Sequence, residues 1–271
     1  MSHSTRGGVL RRLAAGAAVL ALPALALTPA TQASAAAAPA FTKIQGAASN
    51  AAGLQPTVDA YRALLGNPNN GSTPGAQPAG RREINWDGVP DAISAPALMP
   101  PDLFNTTVTR GAVFSSSAAN RFQVSADSDN PTHTPVRFGN LNPQYPEIFA
   151  TFSPEKLFTP LGTTTTRVHF FQAGTKTPAA VNGFGAVFTD VDSPTSSKIE
   201  VYDRAGHLLW WNYVPRGTAA NKSLSFLGVK TDARIWEVRI TSGNTPLAPG
   251  NNDGGVKDVV VLDDLLYGEP R

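Results

Sequence analysis

The stretch Gly183 to Asp192, GFGAVFTDVD, runs an apolar, strand-like segment into two carboxylates spaced two apart, Asp190 and Asp192. If the strand continues, residues i and i+2 share one side and stand about 6.5–7 Å apart. That is too wide for two carboxyls to share a proton. It suits two oxygen ligands on a cation such as Ca²⁺, which takes several oxygens, backbone carbonyls among them. Three alternatives stay open: a solvated turn after Thr189, a structural calcium site, and a catalytic pair.

A second acidic pair, Asp263 and Asp264, sits inside the apolar run DVVVLDDLLY, residues 258 to 267. Adjacent strand residues point to opposite faces, so one carboxylate faces apolar surroundings, where it is costly if unpaired. An arginine partner, backbone amides to cap, or a metal would each resolve this. Asn251 to Gly255, NNDGG, lacks the full spacing of a calcium loop and its later Glu, and reads as a Gly-rich hairpin loop. Asp127 to Asn130 reads as an Asx-rich turn.

Two tryptophan sites could meet a ligand. In Glu83 to Gly88, EINWDG, Trp86 lies between small polar residues. It could stack on a sugar ring while Asn85 and Asp87 bond the hydroxyls. Alternatively Trp86 plugs the core and Asp87 turns with Gly88. Trp210 and Trp211 are adjacent, which sends one to the core and one to solvent. We take Trp211 as the exposed platform.

Little supports catalysis by a nucleophile or a catalytic metal. There is no cysteine, and past residue 35 the histidines are His133, His169 and His207. No G-x-S-x-G, H-E-x-x-H or phosphate loop is present. No residue is assigned as catalytic. A two-carboxylate glycosidase mechanism stays open.

The elements that must position these residues begin after a secretory signal over residues 1–35. Arg6, Arg11 and Arg12 precede the apolar Leu13 to Leu27, and Ala33-Ser34-Ala35 is an A-x-A cleavage site. The export route expected is Sec, with the twin-arginine route as the alternative for the Arg11-Arg12 pair. The chain has 22 Lys and Arg against 20 Asp and Glu, and the leader removes three arginines and no acid, leaving 19 against 20. The mature protein is near neutral with no basic run, which argues against nucleic acid as a partner. No second hydrophobic segment implies a transmembrane span in the mature chain.

Residues 36–80 read as a leader: a flexible Ala-rich piece to residue 56, a short helix from Thr57 to Leu65 that Gly66 closes, and a Pro/Gly/Asn linker. This leader is expected to be dispensable for folding. From Arg81 to Arg271 the pattern is short strands between turn formers. They are 111–114, 121–126, 147–153, 166–171, 183–188, 198–203, 207–213, 223–229, 234–241 and 258–267. The fold class expected is all-β, an antiparallel β-sandwich of jelly-roll type with one short N-terminal helix.

Five stretches resemble an uncharacterised family of exported bacterial β-sandwich proteins. They are GRREINWDGVPD (80–91), FSPEKLFTPLGTTTT (152–166), GFGAVFTDVD (183–192), SLSFLGV (223–229) and DVVVLDDLLYGEP (258–270). Many members carry a PEP-type C-terminal sorting anchor, and none follows YGEPR in this sequence. The second half is more loosely similar to jelly-roll carbohydrate-binding modules. Those modules often hold a calcium near their terminal strands, and this resemblance joins Asp264 to Asp190 and Asp192 as a ligand set.

The function expected is a secreted or envelope-associated, non-catalytic β-sandwich. It binds polysaccharide or envelope glycan, with Ca²⁺ as a structural cofactor. A carbohydrate-active enzyme using carboxylates from 183–192 and 80–91 is one alternative. A structural envelope or matrix component is another. Oligomeric state is not readable from the sequence.

Overall fold

Alternation of apolar and polar residues builds the sheets. The computed structural model describes residues 38–271, together with Met1, His3, Gly7 and Gly8. The expected signal segment therefore falls almost wholly outside the described residues. The strands are β1 (Phe41–Ala48), β2 (Arg81–Ile84), β3 (Ala112–Ser115), β4 (Phe122–Val124), β5 (Phe158–Pro160) and β6 (Thr165–Phe170). They continue with β7 (Val181–Thr189), β8 (Lys198–Tyr202), β9 (Leu208–Tyr213), β10 (Leu224–Ile235), β11 (Glu237–Thr241) and β12 (Val261–Gly268). The helices are α1 (Ala51–Leu65) and the single turns α2 (Leu103–Thr106) and α3 (Tyr145–Ile148).

One sheet has the order β1-β10-β7-β12-β5-β4, with β2 also on β12. The second has the order β3-β6-β11-β8-β9. Every strand pair is antiparallel. From β6 onward the chain changes sheet at most steps, as a jelly roll does. The protein is therefore the antiparallel β-sandwich that the strand pattern implies.

Period two decides which face is buried. In β8, Ile199 and Val201 enter the core; in β11, Val238 and Ile240 do, while Glu237 and Arg239 turn out. Strand β10 reads as a continuous apolar run because both its faces are covered. Leu227 and Val229 face the second sheet, and Leu224 and Phe226 face α1.

The expected flexible leader is corrected by the structure. Phe41–Ala48 pairs with β10 along its whole length, and α1 starts at Ala51, six residues before the predicted start. Asn50 caps it, accepting from the Gly53 N–H at 2.9 Å, and Pro56 lies inside it. Leu54, Val58, Tyr61 and Leu65 all face the outer side of the seven-stranded sheet. Tyr61 lies flat over three glycines: a Cβ on Gly228 would stand 2.7 Å from its ring, one on Gly185 2.8 Å, and one on Gly183 3.1 Å from its hydroxyl. Its hydroxyl donates to the Val229 carbonyl at 2.8 Å. The helix thus covers apolar strand residues that would otherwise meet water.

A second correction concerns 147–153, expected as a strand. Pro146 lies in the first positions of the turn α3, and Tyr145, Ile148 and Phe149 fill a separate apolar cluster with Phe138, Leu157, Leu247, Val259 and Val261. No helix among the described residues is long and apolar enough to cross a membrane.

Candidate functional site

Strand β7 ends at Thr189 because Asp190 takes a positive φ of 70° and turns the chain away. This is a left-handed conformation that Asp tolerates better than most residues. The Asp190 N–H still donates to the Ser223 carbonyl at 2.9 Å. Its side chain is buried, at 0 % exposure, and neither carboxylate oxygen has a hydrogen-bond partner. The turn is present, then, but it is not solvated at Asp190. Burial raises the Asp190 carboxyl to about 9, with the charges of Asp253, Asp192 and Asp258 adding to the rise. Asp192 is half-buried, and one of its oxygens is also unpartnered. Burial, then Asp253 and Asp258, lift it to about 6 against the opposing charge of Arg216.

Asp253 and Asp258 reach this cluster from the loop before β12. Asp253 accepts the Val259 N–H at 2.8 Å, and its carboxyl is raised by burial first. Asp258 is buried and accepts the N–H groups of Asp192 at 3.3 Å and Ser193 at 2.9 Å, with the Ser196 hydroxyl on the same oxygen as Ser193. It therefore ties the loop after β7 to the entry of β12. The NNDGG spacing predicts only a hairpin loop and does not point to Asp258. No local motif marks either acid, because the two loops meet only through the pairing of β7 with β12.

Asp264 does not join this cluster, which corrects its grouping with Asp190 and Asp192. Thr189 is level with Val261, so Asp264 lies three residues further along β12, about 10 Å away at strand rise. A register shift between Leu262 and Leu265 inserts one extra residue into β12. The bulge also overturns the expectation that Asp263 and Asp264 point apart: the Ser153 hydroxyl reaches Asp263 Oδ1 at 3.0 Å and Asp264 Oδ1 at 2.7 Å. Asp263 Oδ2 accepts the Phe152 N–H at 2.6 Å, and Arg62 Nη2 stands 3.6 Å from Asp264 Oδ2. One hydroxyl proton cannot serve two carboxylates. Burial, then the charge of Asp264, pushes Asp263 well above the usual carboxylate range. Burial raises Asp264 too, but the Ser153 hydroxyl and the Arg62 charge oppose that rise, so Asp263 is the member of the pair that burial favours more strongly in its protonated form.

Trp86 belongs to this buried corner and not to a sugar platform. It is 1 % exposed, stacks on Phe158 at 4.2 Å between centroids, and donates Nε1–H to the Asp263 carbonyl at 2.7 Å. The antiparallel pairing of β2 with β12 carries it there. Asn85 is exposed beside it, and Asp87 accepts the Lys156 N–H at 3.0 Å. Asp87 thus has a different set of neighbours from Asp190, and the two stretches do not form one carboxylate pair.

The solvent face of the five-stranded sheet is where exposed aromatic and polar groups collect. Trp210 packs against the core, and Trp211 is 47 % exposed. Tyr213, on the same side of β9, meets Trp211 edge to face at 5.2 Å. Register aligns one transverse row: Ser115 opposite Arg167, Arg167 opposite Arg239, Arg239 opposite Glu200, and Glu200 opposite Trp211. Five strands give this row a length of about 19 Å. At one end a groove of about 480 Å³ lies over Ser115, Ser116, Ser117, Thr165, Arg167 and Arg239. The next row places His169 3.0 Å from the Ser115 hydroxyl, and Glu237 between Arg167 and Arg239 at 3.7 and 3.8 Å. The Arg239 guanidinium stacks over Tyr202 at 4.9 Å. Of this face, the sequence reading found Trp211 alone.

No family model matches this chain, and no curated protein does. The resemblance to an exported family therefore rests on the sequence stretches that carry it. Among solved structures, a family 6 carbohydrate-binding module is similar at 10 % identity. The match covers 64 % of this chain and 93 % of the module, with a TM-score of 0.28. A likeness this loose bears on no residue of the site.

Proposed function

We propose that this protein is an exported β-sandwich that binds a polysaccharide along the solvent face of its five-stranded sheet. The observation that carries the reading is the row from Ser115 through Arg167, Arg239 and Glu200 to Trp211. Sugar rings present apolar CH faces that stack on aromatic side chains and hydroxyls that bond to charged and polar groups. Trp211 and Tyr213 supply the first kind of contact. Arg167, Arg239, Glu200 and Ser115 supply the second. The strands hold these groups at fixed spacing, so little order is lost on binding.

The test is a glycan array followed by calorimetry with the purified protein. Trp211→Ala should weaken binding of the selected glycan at least tenfold while leaving the melt unchanged. An array with no binder, or undiminished binding by Trp211→Ala, would overturn the reading. Leu208, Trp211 and Tyr213 are exposed on an edge strand. A dimer that Trp211→Ala dissociates would therefore assign this surface to a second copy of the chain. Glycan turnover lost in a single Asp→Asn variant would make the protein an enzyme instead.

A further inference from the structure

The head of β7 carries an electrostatic imbalance that the polysaccharide face does not explain. Four carboxylates, Asp190, Asp192, Asp253 and Asp258, influence one another there. Among the described residues, no Lys, Arg or His forms an ion pair with any of them. Asp258 is satisfied by two backbone amides and a hydroxyl. Asp190 is the opposite case: it is fully buried, and neither oxygen makes a hydrogen bond of normal geometry, the Lys222 N–H being the one donor near it. Asp192 adds a third unpartnered oxygen. Buried polar groups in folded proteins are nearly always bonded, and an orphan carboxylate points to an ion or a retained proton.

We propose that this site binds a divalent cation of calcium's size through the carboxylates of Asp190, Asp192 and Asp253. Asp258 positions the loop that carries Asp192. The donors are all oxygen, which suits a hard cation and not zinc or copper. They come from two loops, an irregular cage that fits the variable geometry of Ca²⁺ better than the strict octahedron of Mg²⁺. Among the described residues no three acidic or imidazole groups already converge at ligating distance. Binding therefore requires the carboxylates to move inward. The segment best able to move is the turn bearing Asp253, where Gly254 and Gly255 follow at φ 108° and 67° and are exposed. Bound there, the cation ties the end of β7 to the entry of β12, two strands at the centre of the seven-stranded sheet. It fixes the fold and has no part in the polysaccharide face.

The experiment uses the purified protein, stripped with EDTA and dialysed into chelated buffer. Calorimetric titration with CaCl₂ should show one ion per chain, and the melting temperature should rise with added Ca²⁺. MgCl₂ should bind at least tenfold more weakly. Asp190→Asn and Asp253→Asn should each weaken Ca²⁺ binding at least tenfold. Asn has the shape of Asp at the buried site, and Asp253 lies on a turn whose Gly254 and Gly255 are exposed, so at least one variant should fold, checked by circular dichroism. Asp264→Asn should keep wild-type affinity. No heat and no melting shift at millimolar Ca²⁺ would overturn the site, leaving Asp190 simply protonated. So would wild-type affinity in a folded Asp190→Asn or Asp253→Asn, loss of affinity in Asp264→Asn, or equal binding of Mg²⁺.

Discussion

Asp190 with Asp192, just past the end of β7, and Asp263 with Asp264, within the neighbouring strand β12, are two acidic pairs that the fold treats oppositely. The β12 pair is supplied with donors: a backbone amide, a hydroxyl and an arginine converge on it, and Trp86 closes over it. Asp190 is buried beside further acids, and its oxygens make no hydrogen bond of normal geometry, with the Lys222 N–H the one donor that offsets its raised carboxyl. A fully buried acid stands in each pair, so burial does not decide the role. The donor set does. A carboxyl ringed by donors holds the chain together, whereas one ringed by acids needs a proton or a cation.

Changes that break the contrast can be ranked. The largest effect should come from Trp86→Ala, which empties the corner over Asp263 and should cost about 3–5 kcal/mol in urea unfolding. A loss under about 1 kcal/mol would mean the corner is not tightly packed. Asp263→Ala comes next, at about 2–3 kcal/mol, because the Phe152 N–H loses its acceptor in a buried place. Asp263→Asn can still accept from Phe152 and donate to Ser153, so it should recover most of that loss. If both variants cost the same, the hydrogen bonds are not what matters.

Calcium should act on the other pair alone. At a hundredfold excess over Kd it should stabilise the protein by about 2.7 kcal/mol. The gain should persist in Asp263→Asn and fall to about 1.4 kcal/mol or less in Asp190→Asn at the same Ca²⁺ concentration. A gain lost in both would show that the pairs are coupled and that the contrast is false.

The smaller effects are a pH slope and a near-neutral substitution. Asp263 has a raised pKa in the folded state, so folding favours its protonated form. That stabilisation is full below the unfolded value of about 4 and is lost as pH rises toward the folded value. The groups facing it are Asp264, Ser153 and, through Asp264, Arg62 and Glu83. Asp263→Asn does not titrate, so its stability should fall less than that of the wild type between pH 5 and 8. An identical slope would show that Asp263 does not hold the proton. Finally, Asp190→Asn in EDTA should change stability by less than about 1 kcal/mol, since no donor is lost. A larger loss would reveal an interaction at Asp190 that needs its charge.

Much of the sandwich is readable from local pattern, because alternation reports which face of a strand meets water. Ile199 with Val201, and Val238 with Ile240, are inward in the sequence pattern and in the fold. So is the hairpin at Asp203 to Gly206, where Gly206 takes φ 82° and its N–H donates to the Asp203 carbonyl at 3.1 Å. The adjacency of Trp210 and Trp211 likewise required that they part. These are statements about neighbours one to four residues apart, and chain geometry settles them.

The sites were decided at longer range. Nothing near Asp264 announces the bulge that turns Asp263 and Asp264 to one side, since a bulge is set by register against Phe188 and Ala186. Trp86 is equally suited to a surface or a core by its neighbours in sequence, and pairing of β2 with β12 buries it. The Ala-rich start of α1 looks disordered by composition, yet Tyr61 has a seat prepared by glycines more than a hundred residues away. Asp253 and Asp258 come beside Asp190 and Asp192 only because β7 and β12 pair. The sequence alone determined the strand faces, the turn chemistry and the presence of buried acids. Only the tertiary structure decided which acids meet donors and which meet one another, because electrostatic environment depends on what the fold brings within a few ångströms.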